Sequence, residues 1–207
     1  MFWAGCGGDQ APRPKSTMEL TEAYGRRLAG SVNEVLTGAM RPVQGTLTTR
    51  YDEIPLKLDK PPGREELEKN TASRNQFTAA LARRGLAEVD AGKLLRETYP
   101  YPIQFWQVGD LRWIFLGGEV VVDYALRLKR ELGPATWVAG YSNDVMAYIP
   151  SLRVLHEGGY EGANAQVYYS LMSHWSEGIE QQIIEQVHRA AREIAEPNHS
   201  AADGRVQ

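Results

Sequence analysis

The sequence predicts an α/β protein with a mixed sheet and flanking helices. Segments with helical spacing of apolar residues alternate with short β-rich segments along the chain, as in α/β domains. Two β-rich runs on either side of Gly109-Asp110 indicate a hairpin. The 207 residues are 43% hydrophobic and 24% charged, a balance sufficient for a packed core. We therefore expect one domain over residues 1–196 and a flexible tail over residues 197–207.

The N-terminal half predicts the end of one strand, three helical regions and a second strand. Ser16 lies three residues before Glu19, the spacing of a capping box that opens an amphipathic helix. Gly85 divides the third helical region into two pieces. In chain order, the predicted elements are the end of a buried strand at Met1 to Ala4, a helix from Ser16 to about Thr37, a strand over Thr46 to Leu58 broken near Pro55, a short helix over Arg64 to Lys69, and helical pieces over Asn75 to Arg84 and Asp90 to Arg96.

The C-terminal half predicts a hairpin, a further strand and two helices. Gly117-Gly118 ends the second hairpin strand, and Gly133-Pro134 closes the helix that follows. The last helix carries apolar residues on one face, and Pro197 stops it. In chain order, the predicted elements are hairpin strands over Ile103 to Val108 and Leu111 to Leu116, a helix over Glu119 to Leu132, a strand over Thr136 to Ala139, and a helix over Ser176 to Ala195.

The composition excludes several classes of protein. A formal net charge of −3 gives no basic footprint for a nucleic acid. A single cysteine excludes a disulfide scaffold and a zinc finger. No run of about 18 apolar residues occurs, so the sequence predicts no transmembrane segment.

Glu119 is the first candidate for chemistry. It lies between two apolar runs, Trp113 to Leu116 and Val120 to Val122, where a carboxylate should be paired or bound to a metal. Its predicted place at the start of a helix would favour its negative charge through the helix dipole. The alternative is an ordinary surface acid at the start of a helix.

A second polar group follows the predicted strand at Thr136 to Ala139. It comprises Tyr141, Asn143, Asp144 and Tyr148. In α/β proteins, the loops beyond the carboxyl ends of strands commonly bind ligands. Turn chemistry is an equally good interpretation, since Ser-Asn-Asp favours turns and tyrosines pack well. The spacing alone leaves both alternatives open.

The remaining candidates carry weaker signals. Gly5 to Asp9 resembles a phosphate-binding loop only loosely, because it lacks the Gly-Lys-Ser/Thr end of such a loop. Cys6 with a distant histidine would form a nucleophile pair, but no local signature brackets it. The four histidines show no metal-binding spacing; they are His156, His174, His188 and His199.

Four blocks of the sequence carry a resemblance to a known family. They are Phe2 to Pro12, Gly118-Glu119 with Ala125 to Leu128, Gly140 to Tyr148, and Tyr160-Glu161-Gly162, and together they span roughly residues 1–175. In this order they resemble segments of the neutral/alkaline ceramidases, with Val145 in place of the first tyrosine of the third block. The resemblance implies that residues 1–196 are the C-terminal portion of a ceramidase-like catalytic domain, as in shorter bacterial relatives, and that the natural chain extends upstream of Met1.

The same resemblance implies a zinc-dependent hydrolase. Its substrate would be a ceramide-like lipid, whose N-acyl amide bond is cleaved to give a fatty acid and a sphingoid base. The family's glutamate and tyrosine zinc ligands fall on Glu119 and Tyr148. Zinc in such a site polarises the amide carbonyl and lowers the pKa of a bound water. The resemblance also implies a secreted or periplasmic protein, and the sequence leaves the oligomeric state open.

Two departures from the family pattern bear on this hypothesis. The nucleophilic serine of the family falls on Ala11, and its two histidine ligands have no counterpart here, so we expect them upstream of Met1. A zinc-bound water could still attack directly. The departures leave two alternatives: a catalytically inactive relative that binds a lipid or glycan, and a structural α/β module whose polar loops cap strands.

Overall fold

A computed structural model describes residues 2–195 as six strands and seven α-helices. The strands are Leu47–Lys57 (β1), Thr98–Val108 (β2), Leu111–Leu116 (β3), Glu119–Val120 (β4), Thr136–Ala139 (β5) and Tyr148–Ile149 (β6). The helices are Met18–Thr37 (α1), Arg64–Asn70 (α2), Gln76–Asp90 (α3), Val122–Leu132 (α4), Leu152–Glu157 (α5), Gly159–Gly162 (α6) and Ile179–Ala195 (α7). A 3₁₀ segment covers Asn164–Tyr169.

The main sheet has four strands in the order β1-β2-β3-β5. The first two pairings are antiparallel, and β3 pairs with β5 in parallel, so the sheet is mixed and the predicted fold class is confirmed. Val108 pairs with Leu111 across the two-residue turn, as the hairpin prediction required. A separate two-stranded parallel sheet joins β4 to β6.

One face of the main sheet forms the core together with α4 and α7. Tyr101, Ile103 and Phe105 of β2 are at most 1% exposed, whereas Gln104 and Trp106, on either side of Phe105, are partly exposed. Leu128 of α4 and Ile183 of α7 belong to the same buried cluster. The opposite face carries an aromatic group in which Trp3 contacts Trp113 with ring centroids 4.2 Å apart; its other members are Trp106, Phe115 and Trp137.

Two of the three leucines of α4 provide a test of this packing. Leu128→Ala should lower the free energy of unfolding by about 2–5 kcal/mol, because the side chain is fully buried and its loss leaves a cavity. Leu126→Ala, on the same helix with 60% of the residue exposed, should change it by less than about 0.5 kcal/mol. Urea unfolding measures both, and equal effects would contradict the packing of α4.

The N-terminal segment differs from its prediction in two respects. Residues 2–4 form no strand, and Phe2 is 83% exposed, so the predicted end of a buried strand is wrong. The long helix is confirmed, but its cap is Thr17, whose Oγ1 accepts the Leu20 N–H at 3.3 Å, rather than Ser16. No residue of α1 is buried, and Tyr24 on its apolar face donates its hydroxyl hydrogen to the Pro14 carbonyl at 2.5 Å.

The predicted break in the first long strand near Pro55 and the predicted break in the third helical region at Gly85 are both absent. β1 runs through Pro55, which pairs with Pro100, because an edge strand tolerates a residue without an N–H. α3 is one helix through Gly85, where an added Cβ would lie 2.9 Å from a methyl group of Leu67, so this glycine allows α3 to approach α2. Asp90 to Arg96 does not continue as a helix, since α3 ends at Asp90.

The other boundaries lie close to their predictions. β2 begins at Thr98 and so includes the Tyr99 to Pro102 segment, and α7 begins at Ile179, three residues later than predicted. The predicted tail over residues 197–207 lies outside the described residues. Within residues 2–195, no helix combines the length and the apolar character needed to cross a bilayer.

Candidate functional site

Glu119 lies in strand β4 and not at the start of a helix. α4 begins three residues later, and Asp9 caps it by accepting the Val122 N–H at 2.8 Å. The prediction that the helix dipole favours the Glu119 carboxylate is therefore wrong, since that position belongs to Asp9. Glu119 is half-buried. Its backbone is extended because its N–H donates to the Ala147 carbonyl at 2.8 Å.

The pairing of β4 with β6 places Glu119 directly beside Tyr148. Gly118 sets up this pairing: its φ is +75°, and its N–H donates to the Asp144 carbonyl at 2.7 Å. On the far side of the pair, the Val121 N–H donates to the Ile149 carbonyl at 3.2 Å. The two sequence-predicted metal ligands are thus cross-strand neighbours.

A cluster of tyrosines surrounds the Glu119 carboxylate. Tyr169 donates its hydroxyl hydrogen to Oε1, and Tyr141 donates to Oε2 at 3.5 Å. Tyr148 meets Tyr169 edge to face, with ring centroids 6.1 Å apart, and meets Tyr160 in the same way at 5.6 Å. One carboxylate therefore accepts phenol hydrogens from several directions. We call this group the Glu119–tyrosine cluster.

The electrostatics of the cluster keep the phenols neutral. Burial, followed by the negative charge of Glu119, raises the pKa of Tyr148 above its usual value near 10. The pKa values of Tyr169 and Tyr141 rise as well, again chiefly through burial, with the Glu119 carboxylate as the second cause. A phenol that keeps its proton donates a hydrogen bond to the carboxylate. A cation in the cluster would reverse this preference, because it would favour the phenolate.

The turn at Gly5 to Asp9 supports the backbone of β4. The Gly8 N–H donates to the Val120 carbonyl at 2.9 Å. A Cβ at Gly8 would lie 2.5 Å from the Glu119 carbonyl oxygen, so the close approach requires glycine. These contacts show a packing role for the glycines of this turn. Ala11, at the position of the family's serine, is exposed just beyond the turn.

The structure separates the second polar group of the sequence. Tyr141 and Tyr148 join the cluster, whereas the Asp144 carboxylate accepts from the Tyr99 hydroxyl at 2.8 Å. Asn143 donates from Nδ2 to the side chain of Gln104 at 3.3 Å. Only the two tyrosines of the four predicted residues therefore lie at Glu119.

Within residues 2–195, neither cysteine nor histidine donates a hydrogen bond to the Glu119 carboxylate. Burial raises the pKa of the Cys6 thiol to about 12, which disfavours the thiolate needed for a nucleophile. His156 pairs with Glu177 at 2.9 Å, and His188 pairs with Glu131 at 2.6 Å. His199 lies outside the described residues. Across residues 2–195, no three His, Cys, Asp or Glu side chains come together as a metal-binding group.

Two residues of the site had no usable signal in the sequence. Tyr169 lies in a 3₁₀ segment that periodicity does not mark, and its contact with Glu119 spans 50 residues of chain. Asp9 reaches Val122 across 113 residues. A short polar side chain before the helix would have been the expected cap, and Val121 offers none.

These features define an α/β domain with a carboxylate–tyrosine cluster beside the carboxyl end of β3. No protein-family model matches the chain, and no curated protein matches it. A solved structure that it resembles is that of neutral ceramidase from Pseudomonas aeruginosa, with a TM-score of 0.55 and 18% sequence identity. The match covers 96% of this chain and 36% of that protein, so the chain spans about a third of its length.

At this level of identity, the likeness establishes a ceramidase-like fold.

Proposed function

We propose that this chain belongs to a ceramidase-like, zinc-dependent hydrolase that cleaves an N-acyl amide bond. The observation that carries the proposal is the register of the β4–β6 pair, in which Glu119 lies opposite Tyr148. The sequence resemblance assigns both residues as zinc ligands although they are 29 positions apart, and the strand register brings them side by side. The ceramidase-like fold supports the same assignment.

The donor chemistry fits a zinc ion in part. A carboxylate oxygen is an ordinary zinc ligand, and a phenol can bind once it has lost its proton. Glu119 and Tyr148 would supply two oxygen donors, and a catalytic zinc takes about three protein ligands. Residues 2–195 contain no group of three His, Cys, Asp or Glu side chains that could hold a metal ion, so the site needs at least one further donor.

The chain's own residues have distinct parts in this proposal. Tyr169 and Tyr141 hold the Glu119 carboxylate by their hydrogen bonds and so fix its orientation. Zinc, when bound, would polarise the amide carbonyl of the substrate and make water a better nucleophile. Water must be the nucleophile in this proposal, because Ala11, at the position of the family's nucleophilic serine, has no hydroxyl. The substrate we propose is a ceramide-like lipid, which yields a fatty acid and a sphingoid base.

Proton release on zinc binding tests the ligand assignment. Zinc should displace the Tyr148 phenol proton, because the pKa of this group is raised and the proton is present at neutral pH. We expect one proton released per zinc, measured by calorimetry in two buffers and by tyrosinate absorbance near 295 nm. Tyr148→Phe should remove this release and weaken binding at least about tenfold, since even outer-shell partners contribute 10–100-fold.

Tyr51→Phe is the matched control. Tyr51 also donates to a glutamate, Glu53, at 2.8 Å, but it lies 51% exposed on β1. This variant should bind zinc with the same proton release as the unchanged chain. The ligand assignment is wrong if Tyr148→Phe leaves the proton release and the zinc affinity unchanged.

A further inference from the structure

A cavity of about 430 Å³ lies between α3, the start of β2 and the turn that follows the 3₁₀ segment. Its volume falls within the range of about 300–1,000 Å³ that is usual for small-molecule sites. Tyr169, whose hydroxyl donates to Glu119, is one of the lining residues. One tyrosine side chain therefore connects this cavity to the carboxylate of the Glu119–tyrosine cluster.

The cavity carries an excess of positive charge. The guanidinium groups of Arg84 and Arg96 line it. Glu88 is the only acid among its lining residues within the described chain, and it lies 3.8 Å from Arg84. One positive charge is thus left without a counter-charge in the lining. Guanidinium binds the oxygens of carboxylates and phosphates through paired hydrogen bonds, so the lining favours an anionic ligand.

Arg96 is the guanidinium placed to bind such a group. It lies over the Tyr99 ring, 4.9 Å from the ring centroid, and the ion pairs formed within residues 2–195 do not include it. Tyr99 is itself held in place, because its hydroxyl donates to the Asp144 carboxylate at 2.8 Å. Contact with the ring covers a face of the planar guanidinium and leaves the N–H groups at its edge for a ligand.

Arg84 has a structural part as well. Its Nη2 donates to the Ser170 carbonyl at 2.7 Å, and Ser170 has a φ of +66°. Positive φ is uncommon for a residue other than glycine. Arg84 therefore supports the turn directly after Tyr169, and it brings a positive charge to the same place.

The cavity also has an apolar wall. Leu58 and Leu171 line it and are each 8% exposed, and Met172 is half-buried. Burial of methylene groups against such a wall is favourable, whereas an inorganic anion gains nothing from it. The lining therefore suits an anionic group that belongs to a partly apolar molecule.

We propose that this cavity binds a phosphate group at the polar end of the N-acyl substrate. A phosphate has three acceptor oxygens and close to two negative charges at neutral pH, which suits two guanidinium groups. Arg96 then selects a phosphorylated ceramide-like lipid over an uncharged one. This inference rests on the proposed function, because it takes the phosphate to be part of the molecule whose amide bond lies at Glu119.

Two soluble amides that differ only in a phosphate test the inference. N-hexanoyl ethanolamine reproduces the polar end of a ceramide, and N-hexanoyl phosphoethanolamine adds the phosphate. Binding of each to the metal-free chain is measured by calorimetry. We expect the phosphorylated amide to bind at least about tenfold more tightly, the gain expected for hydrogen bonds to a charged group. Inorganic phosphate should bind more weakly than the phosphorylated amide, because it makes no use of the apolar wall.

Arg96→Met locates the binding. This variant keeps an unbranched side chain and removes the charge, so it should lower the affinity for the phosphorylated amide to that for the neutral one. The affinity for the neutral amide should not change. Arg27→Met, on exposed α1, is the matched control and should bind both amides as the unchanged chain does. Arg84 is a poorer choice for substitution because it also supports the turn after Tyr169.

The failure of this inference is distinct from the failure of the proposed function. The inference is overturned if the two amides bind equally, if inorganic phosphate binds as tightly as the phosphorylated amide, or if Arg96→Met keeps the preference. Hydrolysis of both amides by the zinc-loaded protein is measured separately. If neither amide is hydrolysed while the metal-free chain keeps a preference that depends on Arg96, the proposed hydrolase is overturned and the phosphate site stands.

Discussion

Glu119→Ala should lower the rate of N-acyl amide hydrolysis by a factor on the order of 10²–10³ or more. The substitution removes the carboxylate at the centre of the Glu119–tyrosine cluster, and with it the proposed zinc ligand and the acceptor of two phenol hydrogen bonds. Tyr148 and Tyr169 would then lose the negative charge that helps to raise their pKa values. The measurement is hydrolysis of a fluorescent N-acyl lipid in the presence of zinc, together with the zinc content of the purified protein.

Glu119→Gln keeps the shape of the side chain and removes its negative charge, so it tests the effect of the charge alone. The amide oxygen still accepts from a tyrosine hydroxyl, so this variant should fold normally yet lose zinc and activity as Glu119→Ala does. It should also bring the pKa values of the cluster tyrosines closer to 10, because the charge of Glu119 is one cause of their rise.

Glu65→Ala, on the exposed face of α2, is the matched control and should leave rate and zinc content unchanged. A Glu119→Ala protein that keeps both its zinc and its rate would show that Glu119 is no ligand.

The sequence predicted those elements whose signals are local. The two turn residues, Gly109 and Asp110, and the β-rich runs on either side of them predict the hairpin. The observed register of its strands follows from that two-residue turn. The apolar face of α7 repeats at helical spacing, and Ile179, Ile183 and Val187 are all fully buried. In these elements, local preference and tertiary packing agree.

The errors arose where distant contacts decide the local structure. Glu119 and Val120 have no strand signal of their own, and β6 makes them a strand by pairing. Gly85 is a poor helix former, yet α3 continues through it, and the missing side chain leaves the space that Leu67 of α2 needs. Pro55 lies in an edge strand, where its missing N–H costs little. Each case needs the position of another element, which a local pattern does not contain.

The residues of the candidate site also divide into those that the sequence predicts and those that only distant contacts bring together. Glu119 was identifiable because it is an acid between apolar runs, and Tyr148 was identified through a resemblance in sequence blocks. Tyr169 became visible only in the folded chain, where the 3₁₀ segment brings it to Glu119. A contact between residues that far apart in sequence depends on the packing of several elements, and no spacing rule describes it.

Gly118→Ala should lower the free energy of unfolding by about 3 kcal/mol or more, through two separate penalties. Its φ of +75° is unfavourable for alanine by about 1–2 kcal/mol. In addition, the new Cβ would lie 2.6 Å from Cγ1 of Ile149 and 2.7 Å from the Ala147 carbonyl oxygen. Relief of that overlap must displace β6, which carries Tyr148, so the substitution should disturb the candidate site as well as stability.

Gly92→Ala measures the penalty of a positive φ without the penalty of steric overlap. Its φ of +72° nearly equals that of Gly118, but a Cβ there meets nothing within 4 Å. It should therefore cost only about 1 kcal/mol, whereas Gly118→Ala should lower the melting temperature by roughly 6–12 °C. Thermal unfolding of the two variants, with tyrosine absorbance followed in Gly118→Ala, gives the comparison. If the melting temperature fell equally in the two variants, the space beside Gly118 would not be restrictive. The β4–β6 pair would then not depend on a glycine at this position.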